Sequence, residues 1–124
     1  MSASDHRRAR GRLGEELACH ALTERGYEIV ARNWRCPQGE IDIVARDGEC
    51  LVFVEVKTRR GRGAGLPEDG LTVQKTERLL ALAQRFIAER EWHELSWRLD
   101  LVAIELDRHG AVARLSVIPG VGVD

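Results

Sequence analysis

The stretch from Gly39 to Lys57 constrains this chain more than any other. Ile41-Asp42-Ile43-Val44 and Leu51-Val52-Phe53-Val54 are apolar-rich runs of strand length, and Asp47-Gly48 between them is a two-residue hairpin signal. Side chains alternate along a strand. Glu40, Asp42 and Val44 should therefore share one face of the first strand, and Ile41 and Ile43 the other. Leu51, Phe53, Glu55 and Lys57 share one face of the second, opposite Val52, Val54 and Val56. A turn centred on Asp47-Gly48 pairs Arg46 with Glu49, Val44 with Leu51, Asp42 with Phe53 and Glu40 with Glu55. In this register Glu40, Asp42, Glu55 and Lys57 all point to one side, whereas a one-residue slip would separate the two acidic sets. Glu40 facing Glu55 is an unfavourable like-charge pair that a bound cation would relieve.

The apolar character of the second run implies burial, and carboxylates crowded in a partly buried site raise each other's pKa unless a cation joins them. The lysine is equally informative. Of nineteen cationic residues only Lys57 and Lys75 are lysine; the rest are arginine. A lysine kept against that bias points to what arginine cannot do: present a compact ammonium and release a proton in a dry site. The competing account is a charged hairpin face in solvent, with Lys57 an ordinary ion-pair partner.

A chain of 124 residues with 44% hydrophobic and 31% charged residues is expected to form one soluble domain. No apolar run reaches the ~18 residues of a membrane span, and Ser2 to Arg8 lack the apolar stretch of a signal peptide. Cys19, Cys36 and Cys50, odd in number and without close spacing, read as free thiols of a cytoplasmic protein. The net charge of −1 excludes a polycation, but the cations cluster. Arg7, Arg8, Arg10 and Arg12 form a basic arm, and Lys57, Arg59, Arg60 and Arg62 a second patch beside the acidic set. Carboxylates flanked by arginines suit an anionic ligand that needs a divalent cation, such as a phosphodiester backbone.

Along the chain, Leu13, Leu17, Ala18, Ala21 and Leu22 mark a helix from about Gly11 to Glu24. Glu15 borders its apolar stripe. Tyr27 to Trp34 reads as a strand, Cys36 to Gly39 as a loop, and the hairpin follows. Gly61 to Gly70 is a glycine-rich loop. Thr72 to Glu91 carries the strongest helical pattern, with Lys75 at the inner edge of the Leu79/Leu82 face. Trp97 to Leu106 and Ala113 to Ile118 are strands. Arg98 and Asp100 share a strand face and read as an ion pair. The expected organisation is a flexible basic arm (1–10), one domain (11–118) and a flexible tail (119–124). The order αβββαββ predicts an α/β sandwich with a central mixed sheet.

Gly11-x-x-Gly14-Glu15-x-x-Ala18, Arg32-Asn33-Trp34-Arg35, Gly39-Glu40-Ile41-Asp42, Phe53-Val54-Glu55-Val56-Lys57-x-Arg59, Lys75 and Arg98-Leu99-Asp100 together resemble the YraN-like family of bacterial proteins. That family looks like a branch of the PD-(D/E)xK nucleases, related to Holliday junction resolvases and restriction endonucleases. The resemblance implies a restriction-endonuclease-like fold, Asp42 and Glu55 as metal ligands, Lys57 as the catalytic lysine and Glu15 as the helix acid. It also makes a homodimer an expectation.

The residues and the resemblance lead to one expectation: an Mg²⁺- or Mn²⁺-dependent endonuclease acting on DNA, branched or single-stranded substrates included. Asp42, Glu55, Lys57 and Glu15 are its candidate catalytic residues. Asp42, Glu55 and Glu40 are the candidate metal ligands, and Arg59, Arg60, Arg62 and Lys75 the candidate phosphate contacts. The alternative is a non-catalytic module that keeps the fold to bind nucleic acid or recruit protein.

Overall fold

The structure, a computed structural model, describes residues 3–61 and 71–121, with the backbone alone for 3–10. Arg62, the rest of the glycine-rich loop, the side chains of Arg7, Arg8 and Arg10 and the last three residues lie outside that description. Helix α1 spans Ala3–Glu24, starting before the expected Gly11. Strands β1 (Glu28–Cys36), β2 (Gly39–Asp47) and β3 (Cys50–Arg60) follow, then helix α2 (Val73–Arg90), β4 (Ser96–Leu106) and β5 (Val112–Ile118). The order αβββαββ is the one read from the sequence. Cys36 and Gly39 pair, so the Cys36–Gly39 segment expected as a loop is a tight hairpin turn of Pro37-Gln38.

The five strands lie in chain order in one mixed sheet, with β3 and β4 parallel and every other pair antiparallel. A parallel pair needs a crossover rather than a tight turn, and α2 is the helix of that crossover. Thr72 caps it, its hydroxyl accepting from the Lys75 amide at 3.1 Å. At the other end Glu91 turns left-handed at φ 56°, and the Trp92 amide reaches back to the Ile87 carbonyl.

Each face of the sheet has its own core, because β3 is apolar on both sides. Leu51 and Phe53 pack with Leu79, Leu82, Ala83, Phe86 and Ile87 of α2. Val52 and Val54 pack with Ala18 and Leu22 of α1 and with Val102 and Ile104 of β4. The tryptophans serve packing: Trp34, Trp92 and Phe53 meet Phe86 edge-on, and Trp97 meets Phe53. Arg98 and Asp100 form the expected ion pair at 2.9 Å. Arg98 also reaches Tyr27 and Asp47, and buried Asp100 accepts from the Gly120 amide at 3.1 Å. That cluster ties the β2–β3 turn and the start of the tail to β4. All three cysteines are free thiols, and among the described residues no helix is long and apolar enough to cross a membrane.

Candidate active site

The β2–β3 register differs from the expected one by two residues. Asp47 pairs with Cys50, Arg46 with Leu51, Val44 with Phe53 and Ile43 with Val54, so the turn is Gly48-Glu49. Gly48, at φ 63°, supplies the left-handed first position that such a turn takes. Asp42 is thus not opposite Phe53, nor Glu40 opposite Glu55. Alternation within β3 does not depend on its pairing register, so Glu55 and Lys57 still share a face with Phe53.

The larger departure lies in β2 itself. Ile41 and Ile43 should share a face, yet Ile41 joins the α2-side core with Val44 and Phe53, while Ile43 joins the α1-side core. Alternation breaks at Asp42. The β2–β3 ladder ends at Ile43–Val54, and the Val56 amide donates instead to Asp42 Oδ2 at 2.8 Å. In β1 the break is matched: Arg32 pairs with Ile43 and Trp34 with Ile41, and Asn33 between them stands left-handed at φ 51°. Asparagine is among the few residues that take this conformation readily. Both strands therefore switch faces at Asn33 and Asp42, and Asp42 turns its carboxylate toward the opening between β2 and β3.

Helix α1 brings Glu15 to this opening. It can approach β3 closely because residue 14 is glycine: a Cβ there would collide with Thr58 Oγ1. One carboxylate oxygen each from Glu15, Glu40 and Asp42 lie within 4.8 Å of one another. Glu55, buried on the α2 side, is held instead by Lys75, whose Nζ lies 2.9 Å from its Oε1. Lys57 lies close enough to Lys75 for each amine to act on the other's titration.

The electrostatics divide the two lysines. Burial pushes the Lys57 ammonium down to about 8, and Lys75 beside it acts in the same direction. Burial opposes charge on Lys75 as well, but the bond to Glu55, together with Lys57 and the charges of Glu55 and Asp42, holds its pKa above the ordinary lysine value. Asp42 moves the other way, up to about 7, chiefly through burial and then through the negative charge of Glu55; the Val56 amide opposes the shift. Two lysines and one carboxylate thus occupy the α2 side, and three carboxylates gather on the α1 side.

The remaining candidates separate. Arg59 lies two residues beyond Lys57 on the same face, and its Nε is buried without a hydrogen-bond partner among the described residues. Arg60 alternates to the other face and donates to the Arg108 carbonyl at 2.6 Å. Lys75, expected as a phosphate contact, is engaged by Glu55. The sequence reading assigned no role to Asn33, Gly14 or the Lys75–Glu55 bond. Asparagine is depleted in strands, so its place inside β1 was the available signal for the first.

A mixed five-stranded α/β sheet, parted at its second and third strands over carboxylates and a lysine pair, defines the class. The chain belongs to the uncharacterised protein family UPF0102, the YraN-like family named above, whose model matches residues 14–104. Glu15 through Lys75, the whole candidate site, lies within that match. The chain is 50% identical over 122 residues to a UPF0102 protein of Beutenbergia cavernae, covering 98% of this chain and 100% of the relative. It is 47% identical over 110 residues to one of Roseiflexus castenholzii (88% and 89%) and 46% identical over 114 residues to one of Moorella thermoacetica (92% and 95%).

Proposed function

We propose that this protein is a divalent-metal-dependent nuclease acting on DNA. The observation that carries the reading is the juxtaposition at the parted strands: three carboxylates from α1 and β2 on one side, Lys57 with Lys75 on the other. The all-oxygen donor set of Glu15, Glu40 and Asp42 suits Mg²⁺ or Mn²⁺. A divalent charge would also favour the ionised form of Asp42, which burial and then the charge of Glu55 hold protonated toward neutral pH. When bound, such a cation polarises a phosphoryl oxygen and lowers the pKa of a coordinated water.

The chain's own groups do the rest. Lys57 Nζ, uncharged, orients the attacking water and, once it has taken the water's proton, offsets negative charge building on the phosphoryl oxygens. As the water oxygen bonds to phosphorus, the bond from phosphorus to the leaving oxygen breaks. The water's proton passes to neutral Lys57 Nζ and then to solvent, and the leaving oxygen takes a proton from solvent. Arg59, whose Nε has no partner among the described residues, contacts a neighbouring phosphate. Glu55 anchors Lys75 and so keeps the second cation beside Lys57.

The test incubates the purified chain with branched, single-stranded and duplex DNA in Mg²⁺, Mn²⁺ or chelator. Metal-dependent cleavage that Asp42→Asn abolishes is the expected result. Binding without cleavage of any substrate would replace the enzyme by a nucleic-acid-binding module on the same fold.

A further inference from the structure

We infer that the cleft between α1 and the β1–β2 hairpin is a phosphate subsite that takes one unpaired nucleotide of the substrate strand, next to the phosphate at the carboxylates. This inference rests on the nuclease reading and extends it to a surface that the Lys57–Arg59 side does not include.

The cleft measures about 490 Å³ and is lined by Gly11, Arg12, Glu15, Asn33, Arg35 and Glu40. That volume falls within the roughly 300–1,000 Å³ of small-ligand sites, a size that matches a single nucleotide. Its donors converge. Arg12 is exposed and makes no hydrogen bond or ion pair with any described residue. Arg35 makes one long contact, 3.5 Å to Glu40 Oε2, with 75% of its side chain exposed. A guanidinium carries five N–H donors, so most of them remain open to a ligand. Asn33, left-handed at its backbone, also lines the cleft. The other end of the cleft is Glu15 and Glu40, two of the three clustered carboxylates. A ligand matching both ends is anionic at one point and carries a cation at another. A nucleic-acid strand with metal on one phosphate and arginines on the next has this pattern.

Gly11 supplies a separate observation. It sits inside α1, where glycine weakens a helix relative to alanine. Gly14 has a packing reason to lack a side chain, since a Cβ would strike Thr58. Gly11 has none: a Cβ there would meet nothing within 4 Å. Its bare backbone borders the cleft, and a missing side chain there lets a ligand come close.

The experiment reads fluorescence anisotropy of a short labelled single strand with the full chain, in chelator and in Mn²⁺, across a range of salt. Arg12→Ala and Arg35→Ala should each weaken binding about tenfold. Each should flatten the logarithmic salt dependence by about 0.7, while Arg12→Lys and Arg35→Lys keep that slope. Gly11→Ala should raise the melting temperature by a few degrees and yet weaken binding. A merely structural glycine would not show that opposition. A duplex should bind less tightly than the single strand and lose less in the variants. Wild-type affinity and slope in Gly11→Ala and in both alanine variants, with binding lost only in Arg59→Ala, would overturn the subsite and leave the nuclease reading standing. A duplex bound as tightly and weakened as much would overturn the unpaired nucleotide. A wild type that binds no strand in either condition takes down both readings together.

Discussion

Lys57 and Lys75 compete for a single carboxylate, and the geometry decides the outcome. Lys75 holds Glu55 at 2.9 Å, so Lys57 is the amine driven toward neutrality. Lys57→Arg keeps the charge but cannot release a proton, and its planar guanidinium cannot occupy the place of a compact ammonium. Cleavage should fall on the order of a hundredfold, with melting temperature and DNA affinity near wild type. Full cleavage by the variant would remove Lys57 from the mechanism. Asp42 gives a second test, through pH. Its carboxyl titrates at about 7 in the folded chain, above the 3.8 of an ordinary aspartate. Below about pH 4 it is protonated whether folded or unfolded and favours neither state. Between about 4 and 7 the unfolded chain has released the proton and the native chain has kept it, so stability falls as pH rises, by a few kcal/mol across the window, and levels off above it. Melting curves in chelator should show this fall for wild type and not for Asp42→Asn. Parallel curves for the two proteins would mean that Asp42 is not held protonated.

Helix α1 and strand β3 meet at a point where only glycine fits, and that contact places Glu15. Gly14→Ala should cost roughly 1–3 kcal/mol, as overpacking does, and should impair metal-dependent cleavage by displacing the helix. Thr58→Ala removes the colliding hydroxyl, so the double variant should recover much of the stability; additive losses would show that the contact is not the cause. The elements were largely legible in the sequence because each has a period or a cap: Thr72 ahead of α2, alternation in β3, Asp-Gly between β2 and β3. The turn was misplaced for a local reason. Glycine serves as the second central residue in one hairpin type and the first in the other, so Asp47-Gly48 and Gly48-Glu49 are both acceptable to it. Face assignments in β3 survived because alternation within that strand does not depend on its pairing register. The switch of faces at Asn33 and Asp42 was hidden because alternation assumes a regular strand. It is also what moves Glu40 and Asp42 toward Glu15 and leaves Glu55 to Lys75.

At the scale of the molecule, charge is segregated rather than abundant. A net charge of −1 gives no long-range pull toward a polyanion, so binding must come from a few local contacts. The affinity for nucleic acid should therefore be weak and should fall with salt along a shallow slope, about one unit for each duplex phosphate contact. Arg59→Ala should lower that slope for all sequences alike, and an affinity indifferent to salt would argue against phosphate contacts altogether. The sheet has a consequence in time as well as in space. β1, β2 and β3 join through short hairpins, but β3 finds its parallel neighbour only when Cys50 meets Ser96 across α2. Contacts so distant along the chain close late and slowly. The three clustered acids and Lys57 all precede the crossover, so a ribosome would release them before the strand that seals both cores behind them. The chemistry of this domain is written early in the chain, and it waits on the later half to become a fixed shape.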